Sequence, residues 1–530
     1  MDLVIPGGDL LKRLSGLDAT FLYLETPRMH LHVGALVVFD PPEHRGAAGG
    51  AGGEISFERL KDVVASRLHL LPPFRRRVVQ VPFHLDHPVW VDDPHFDLDY
   101  HMRRVGLPGS GGSEALSELV ADVISRPLDL ERPLWEIYFV EGLESNGVAV
   151  IAKAHHAAID GVSGTELAAL LFDLEPGGTA VPPPEEPWQP ERIPSEPEML
   201  RMALGSIVSR PLEVGRLVGK TIGALLPHVE AGAAAVAGSM LAADAPGEAR
   251  AGGGVDAGAH SHLPLPLRVP KTSFNSSLST HRRVAITEVP LSEVKKVREI
   301  GGGSVNDVVL AGCAGGLREY LRSRGELPSE SLVALVPISV RRPSEKAEMG
   351  NRIAAMLIEL GSDIDDPLER LSCLSVRTRA GKDRLEGIGS TLMSEWADQV
   401  TPLVAAPAAR VASNSKLFSR IPVPWNVIIS NVPGPEFPLY ASGSRMTSIH
   451  PFGPLVEGVG LNITVMSYMG MMYFGIVGCR DLVPEIKDVA SFVEASFHEL
   501  NVAAVASKRE RSRRARTVPN AKAPTNVQPA

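Results

Sequence analysis

A chain of 530 residues, 44% hydrophobic and 22% charged, has globular composition and exceeds one ordinary core, which implies two domains with connecting material. A net charge of −9 with only 5% aromatic residues argues against nucleic acid as a partner, since neither a basic surface nor a base-stacking platform is expected. Three cysteines without a Cys-x-x-Cys pair, and an N-terminus lacking a basic stretch before an apolar run, indicate a reducing, cytoplasmic setting with no disulfide framework or secretory signal.

Along the chain, Ser56 predicts the cap of a helix carrying Phe57, Leu60, Val64, Leu68 and Leu71, stopped by Pro72-Pro73. A second helix is predicted over Glu114–Ser125, followed by strands at Trp135–Val140 and Val148–Ala154. Residues 1–174 therefore read as a mixed α/β domain. From 175 to 270, proline- and glycine-rich stretches flank an Ala/Leu-rich helical segment over Met199–Ala243, the pattern of a connector. Periodicity returns in a second domain, 271–505. Here a strand over Arg282–Val289, a helix over Leu291–Ile300 and a helix opened by Ser304 precede strands at Leu332–Val336, Ala354–Leu360 and Asn426–Ser430. Gly458–Gly478 carries no charge and is long enough to span a bilayer. Its polar residues Asn462, Thr464 and Ser467 alternate with apolar ones around Met469-Gly470, so a buried hairpin, Leu461–Tyr468 and Met471–Val477, is the reading. The remainder, 506–530, includes the basic run Lys508–Arg516 and reads as a disordered tail.

The segment with the most chemistry is His155-His156-Ala157-Ala158-Ile159-Asp160-Gly161. A strand runs into the two histidines, Asp160-Gly161 suits a turn, and Ser163-Gly164-Thr165-Glu166 suits the start of a helix. Adjacent side chains on an extended backbone point to opposite faces, so one histidine is chemical and the other structural. A neutral imidazole can take the proton of an alcohol attacking a thioester and return it to the departing thiolate. A metal site is the weaker reading: the His–Asp spacing falls on a strand and turn rather than a helix, and no third ligand stands nearby. At the second helix start, Asn306-Asp307 suits capping. A helix N-terminus also offers free N–H groups where an oxyanion forms, so Asn306 could donate there while Asp307 holds the site together. Ser339, Asn351 and Asn431 are candidate pocket residues, and Pro133 and Trp135 read as core or channel wall.

The His-His-x-x-x-Asp-Gly segment resembles the active-site motif of the CoA-dependent acyltransferase superfamily, which includes chloramphenicol acetyltransferase and peptide-synthetase condensation domains. Further segments are similar to its bacterial wax ester synthase/diacylglycerol acyltransferase branch: Leu17-Asp18-Ala19-Thr20-Phe21-Leu22-Tyr23-Leu24-Glu25 with Met29-His30, Phe96-Asp97-Leu98-Asp99-Tyr100-His101, and Arg132-Pro133-Leu134-Trp135-Glu136. Asn306-Asp307-Val308-Val309-Leu310, Val336-Pro337-Ile338-Ser339-Val340-Arg341 with Gly350-Asn351, and Asn431-Val432-Pro433-Gly434-Pro435 continue the likeness in order. It covers about Leu14 to Leu500, apart from the connector. The resemblance implies two chloramphenicol-acetyltransferase-like halves, each a mixed sheet with flanking helices, around a substrate channel. It makes His156 the base, Asp160 a structural partner of an arginine, and Gly161 the residue permitting a tight turn. No metal or prosthetic group is implied. Acyl-CoA would be co-substrate and diacylglycerol or a long-chain alcohol the acceptor, with peripheral contact to a membrane or lipid-body surface. A condensation-type acyltransferase and a silent lipid-binding protein are the alternatives.

Overall fold

The computed structural model describes residues 3–4, 10–40, 55–159, 164–204, 269–339, 353–388 and 423–517. Two six-stranded mixed sheets organise them, with helices on their outer faces. The first centres on β8 (Val148–His155), which lies between β3 (His32–Phe39) and β7 (Trp135–Glu141), both antiparallel to it. β6 (Met102–Gly106) runs parallel to β7 at one edge. β7 and β8 are buried along almost their whole length, which explains their mostly apolar sequences; the two charges they bury, Glu136 and Lys153, pair across the strands at 2.8 Å. A smaller sheet of β1 (Leu3–Val4), β2 (Leu10–Arg13), β5 (Val89–Asp92) and β4 (Arg76–Val79) lies in the same half.

The second large sheet has the order β11 (Ile353–Glu359), β10 (Val333–Ser339), β12 (Val427–Val432), β15 (Leu461–Tyr468), β16 (Met471–Cys479), β9 (Arg282–Pro290). The uncharged segment forms the expected hairpin. β15 and β16 pair antiparallel, and Met469 and Gly470 at φ 46° and 84° make the tight turn whose twist suits two strands. Among the described residues no helix is long and apolar enough to cross a membrane.

The two halves are not separate in space. β14 (Ser444–Phe452), which lies in the second half of the chain, pairs antiparallel with β3 of the first sheet, and β13 (Tyr440–Ala441) extends it outward. Apolar side chains then form cores that belong to both halves. Trp135, Val150 and Ala154 pack in one cluster with Ile449, Met466, Tyr468 and Tyr473, and Leu36, Val140 and Ile151 in another with Phe452, Val284 and Val477. Gly475 of β16 permits this approach, since a Cβ there would sit 1.8 Å from the Pro451 carbonyl oxygen of β14. Gly475→Ala is therefore expected to destabilise the protein by about 1–3 kcal/mol through overpacking. The check is the urea midpoint, which should fall while the slope stays unchanged.

Ser56 and Ser304 cap their helices as expected. The helix Phe57–Arg67 passes into 3₁₀ turns before the prolines rather than running to Leu71. A larger departure concerns the C-terminus. The final helix spans Ile486–Thr517, so the basic run placed in a disordered tail is instead its last turns. Arg and Lys are good helix formers, and a helix already anchored by buried Val489, Val493, Phe497 and Leu500 propagates without a new nucleation step. In the connector, 175–195 is irregular and a helix covers 196–204; the rest of the expected helical segment lies outside the described residues.

Candidate active site

β8 delivers the histidine pair to the end of the first sheet, and three backbone bonds fix the turn that follows. His155 N–H donates to Leu134 O, His156 N–H to Leu31 O and Ala158 N–H to His155 O, each at 2.9 Å. The two rings part, as alternation on a strand requires. His155 is fully buried, and its Nδ1 accepts the Ala157 N–H at 3.1 Å. His156 is half-buried and stacks on Phe21, with ring centroids 4.3 Å apart and planes 24° from parallel. Phe21 belongs to α1 (Gly16–Leu24), which is capped by Ser15 accepting from Asp18 N–H at 3.1 Å. Burial lowers the pKa of His156 below the ordinary imidazole value, opposed by its own backbone and by the Asp18 carboxylate. At neutral pH the ring is therefore uncharged, the form a general base requires. Its Nδ1 is buried without a hydrogen-bond partner.

Past the turn, Ala158 and Ile159 join Leu71, Pro72, Phe74 and Leu167 in lining a small apolar depression, of which His156 is not a lining residue. Leu167 lies on the helix Gly164–Leu171, the one expected after the motif. Asp160 and Gly161 lie outside the described residues.

The second motif opens the 19-residue helix Val305–Ser323. Asp307 completes a capping box despite being shorter than the usual Glu: its Oδ2 accepts Ser304 N–H at 2.7 Å while Ser304 Oγ accepts Asp307 N–H at 3.2 Å. Its Oδ1 accepts from Thr378 Oγ1 at 2.6 Å, so this buried carboxylate is fully committed to holding the helix start. Asn306 faces another partner: its Oδ1 accepts from Asn431 Nδ2 at 3.3 Å, linking the helix start to the end of β12. The pairing orients the Asn306 amide with Nδ2 as its remaining donor. The structure thus brings Asn306 and Asn431 together. Among the described residues no hydrogen bond joins them to His156. Ser339 ends β10, but its side chain, like Asn351, is outside the described residues.

Trp135 resolves as core. It is 1% exposed, stacks between Phe74 and His101, and donates Nε1–H to Phe74 O at 2.8 Å. Sequence reasoning missed the surroundings of His155. Glu25, His30 and His32 cluster against it, with His30 Nδ1 and His32 Nε2 at 3.8 and 3.4 Å from Glu25 Oε1 and His155 Nε2 at 3.9 Å from Oε2. The alternation of His30 and His32 was the available sign, since residues two apart on a strand share a face. Among the described residues no group of three or more His, Cys, Asp or Glu is set to hold a metal ion.

The histidine pair ending a buried strand and the Asn-Asp motif opening a helix of the second half lie in regions matched by sequence comparison. The profile described as "wax ester synthase/diacylglycerol acyltransferase catalytic domain" matches residues 14–309, and that of the WS/DGAT C-terminal domain matches 349–501. The chain belongs to the wax ester synthase/diacylglycerol acyltransferase family. Within it, a Mycobacterium tuberculosis protein whose name places it among the diacylglycerol O-acyltransferases is 35% identical over 94% of this chain and 91% of its own. A second M. tuberculosis protein named in the same way is 36% identical over 92% of this chain and 99% of its own. Among solved structures, the wax ester synthase/diacylglycerol acyltransferase of Marinobacter aquaeolei VT8 is similar at a TM-score of 0.60 and 27% identity, covering 93% of this chain and all of that one. The trichothecene 15-O-acetyltransferase of Fusarium sporotrichioides, at a TM-score of 0.54 and 13% identity over 93% of this chain and 95% of its own, shares the two-subdomain fold.

Proposed function

We propose that this acyltransferase moves a long acyl chain from acyl-CoA to the free hydroxyl of diacylglycerol, giving triacylglycerol, with wax ester formation from long-chain alcohols as a second activity. The observation that carries the reading is the half-buried, uncharged His156 ring at the end of β8, stacked on Phe21. In the first step the alcohol oxygen attacks the thioester carbonyl as His156 takes the hydroxyl proton. The carbonyl oxygen becomes an oxyanion, for which Asn306 Nδ2 and the N-terminus of its helix are the donors. Collapse breaks the carbon–sulfur bond, and His156 returns the proton to the CoA thiolate. An ester and free CoA result, with no other reactant.

A passage between the halves, lined by both and dry enough to favour transfer over hydrolysis, is part of the proposal. So is a cytoplasmic setting with peripheral contact to anionic lipid through the basic end of the last helix, where Lys508, Arg509, Arg511 and Arg513 stand exposed. The test is purified protein with labelled palmitoyl-CoA, no carrier protein, and either diacylglycerol or hexadecanol. Labelled triacylglycerol is the expected main product. Acylation that requires a carrier-bound donor, or none at all, overturns the proposal.

A further inference from the structure

Glu25 lies at the end of α1, four residues past Phe21, whose ring stacks on that of His156. The chain then folds back through a closed turn in which Thr26 and Met29 exchange both backbone hydrogen bonds at 3.0 Å. This sets the carboxylate beside His30 and His32. Across the sheet, His32 stands directly opposite His155 in the β3–β8 register, so the two rings emerge on one face. The Glu25 side chain is 10% exposed and the three imidazoles between 0 and 5%.

The tautomer of His155 follows from geometry. Its Nδ1 accepts the Ala157 N–H, so the ring proton of the neutral form resides on Nε2. That N–H is buried with no hydrogen-bond partner, and Glu25 Oε2 stands 3.9 Å from it. His30 Nδ1 and both nitrogens of His32 are orphaned in the same way, as is Glu25 Oε1. Buried polar atoms in such number are costly unless they share one acceptor, directly or through a water. The Glu25 carboxylate is the acidic group that lies within 4 Å of all three rings.

What it holds together is the backbone around His156. The His156 N–H donates to Leu31 O, and Leu31 lies between His30 and His32, while His155 precedes the base and pins Ala157. Glu25 therefore contacts both flanks of the one hydrogen bond that sets the direction of residue 156. We infer that Glu25 is a positioning residue for the acyl-transfer reaction, acting through His30, His32 and His155 to aim the His156 ring at the acceptor hydroxyl. The inference rests on the reading of His156 as the base.

The test compares Glu25→Gln, which keeps the length and removes the charge, with Glu25→Asp, which keeps the charge and withdraws it by one methylene. Both should lower kcat, by as much as about 10²-fold for Asp, because misplacing a base by about 1 Å costs that much. KM for acyl-CoA should stay within about twofold, and kcat is taken per folded molecule by circular dichroism. The deciding measurement is the double mutant with His156→Ala. Once the base is gone, Glu25→Gln should cost nothing more in residual turnover, whereas a merely structural carboxylate would cost the same in both backgrounds. Equal losses in the two backgrounds, or wild-type kcat in both single variants, overturn the inference. His156→Ala with undiminished turnover overturns the underlying assignment of the base instead.

Discussion

His156→Ala is expected to reduce kcat by about 10²–10⁴-fold, the usual worth of a positioned general base. The alcohol must shed a proton as its oxygen bonds to carbon; Phe21 covers one face of the His156 ring, His155 has its Nδ1 engaged by Ala157 N–H, and the nearby Asp18 carboxylate is bonded to Ser15. The proposed role of His156 is proton transfer rather than binding, so KM for acyl-CoA should change little. The pH profile of the wild type checks the same assignment. A base works in its uncharged form, so rate falls as pH drops through its pKa. Burial lowers the His156 pKa from 6.5, and the acid limb of kcat/KM should lie below that value. A limb above 6.5, or a His156→Ala enzyme with kcat near wild type, is incompatible with the mechanism.

Mild acid should unfold the protein. Burial holds His32 and His155 near a pKa of about 3, and His30 and His450 near about 4. Lys153 and Arg282 push His32 down further, while Glu136 opposes them. In the unfolded chain each imidazole titrates near about 6.5. Below that pH the unfolded state binds protons that the native state refuses, so stability falls as pH falls. By about pH 4.5 each group with so low a native pKa costs roughly 2–3 kcal/mol. Four such groups together reach the range of about 5–15 kcal/mol that folded domains possess. Protonation of Glu25, whose pKa burial raises, works in the opposite sense and recovers part of the loss. Near-UV circular dichroism should show a cooperative transition between about pH 6 and 4. His450→Phe should move it to lower pH. A native spectrum retained to about pH 4 would refute the account.

Much of this architecture was readable in the primary structure because the decisive elements announce themselves locally. The β15–β16 hairpin carries its alternation and its Met469-Gly470 turn, and Ser56 and Ser304 sit where caps belong. The strand running into His155 was visible for the same reason, and the stacking of Trp135 fits its place in an apolar run. Pairing across long sequence separations was not visible. Nothing near Ser444–Phe452 says that this strand joins β3, some 410 residues earlier, because edge complementarity is decided by the assembled sheet. Glu25 and His30 stood out only as part of a family-like segment; their grouping with His32 and His155 was not visible, because it depends on the pairing of β3 with β8. The capping reading of Asp307 was legible from Ser304 three residues earlier, whereas its bond to Thr378, 71 residues on, was not.

The strand that β14 lends to the first sheet limits how the molecule can move and how it can be divided. A chain cut inside the connector would yield an amino-terminal fragment whose β3 has lost its outer neighbour, leaving a row of unsatisfied backbone groups prone to self-association. Its complement would carry a dangling ribbon with no sheet of its own. Wide, clam-like opening of the two halves would have to strip that same ladder, so the pairing of β14 with β3 opposes any such swing.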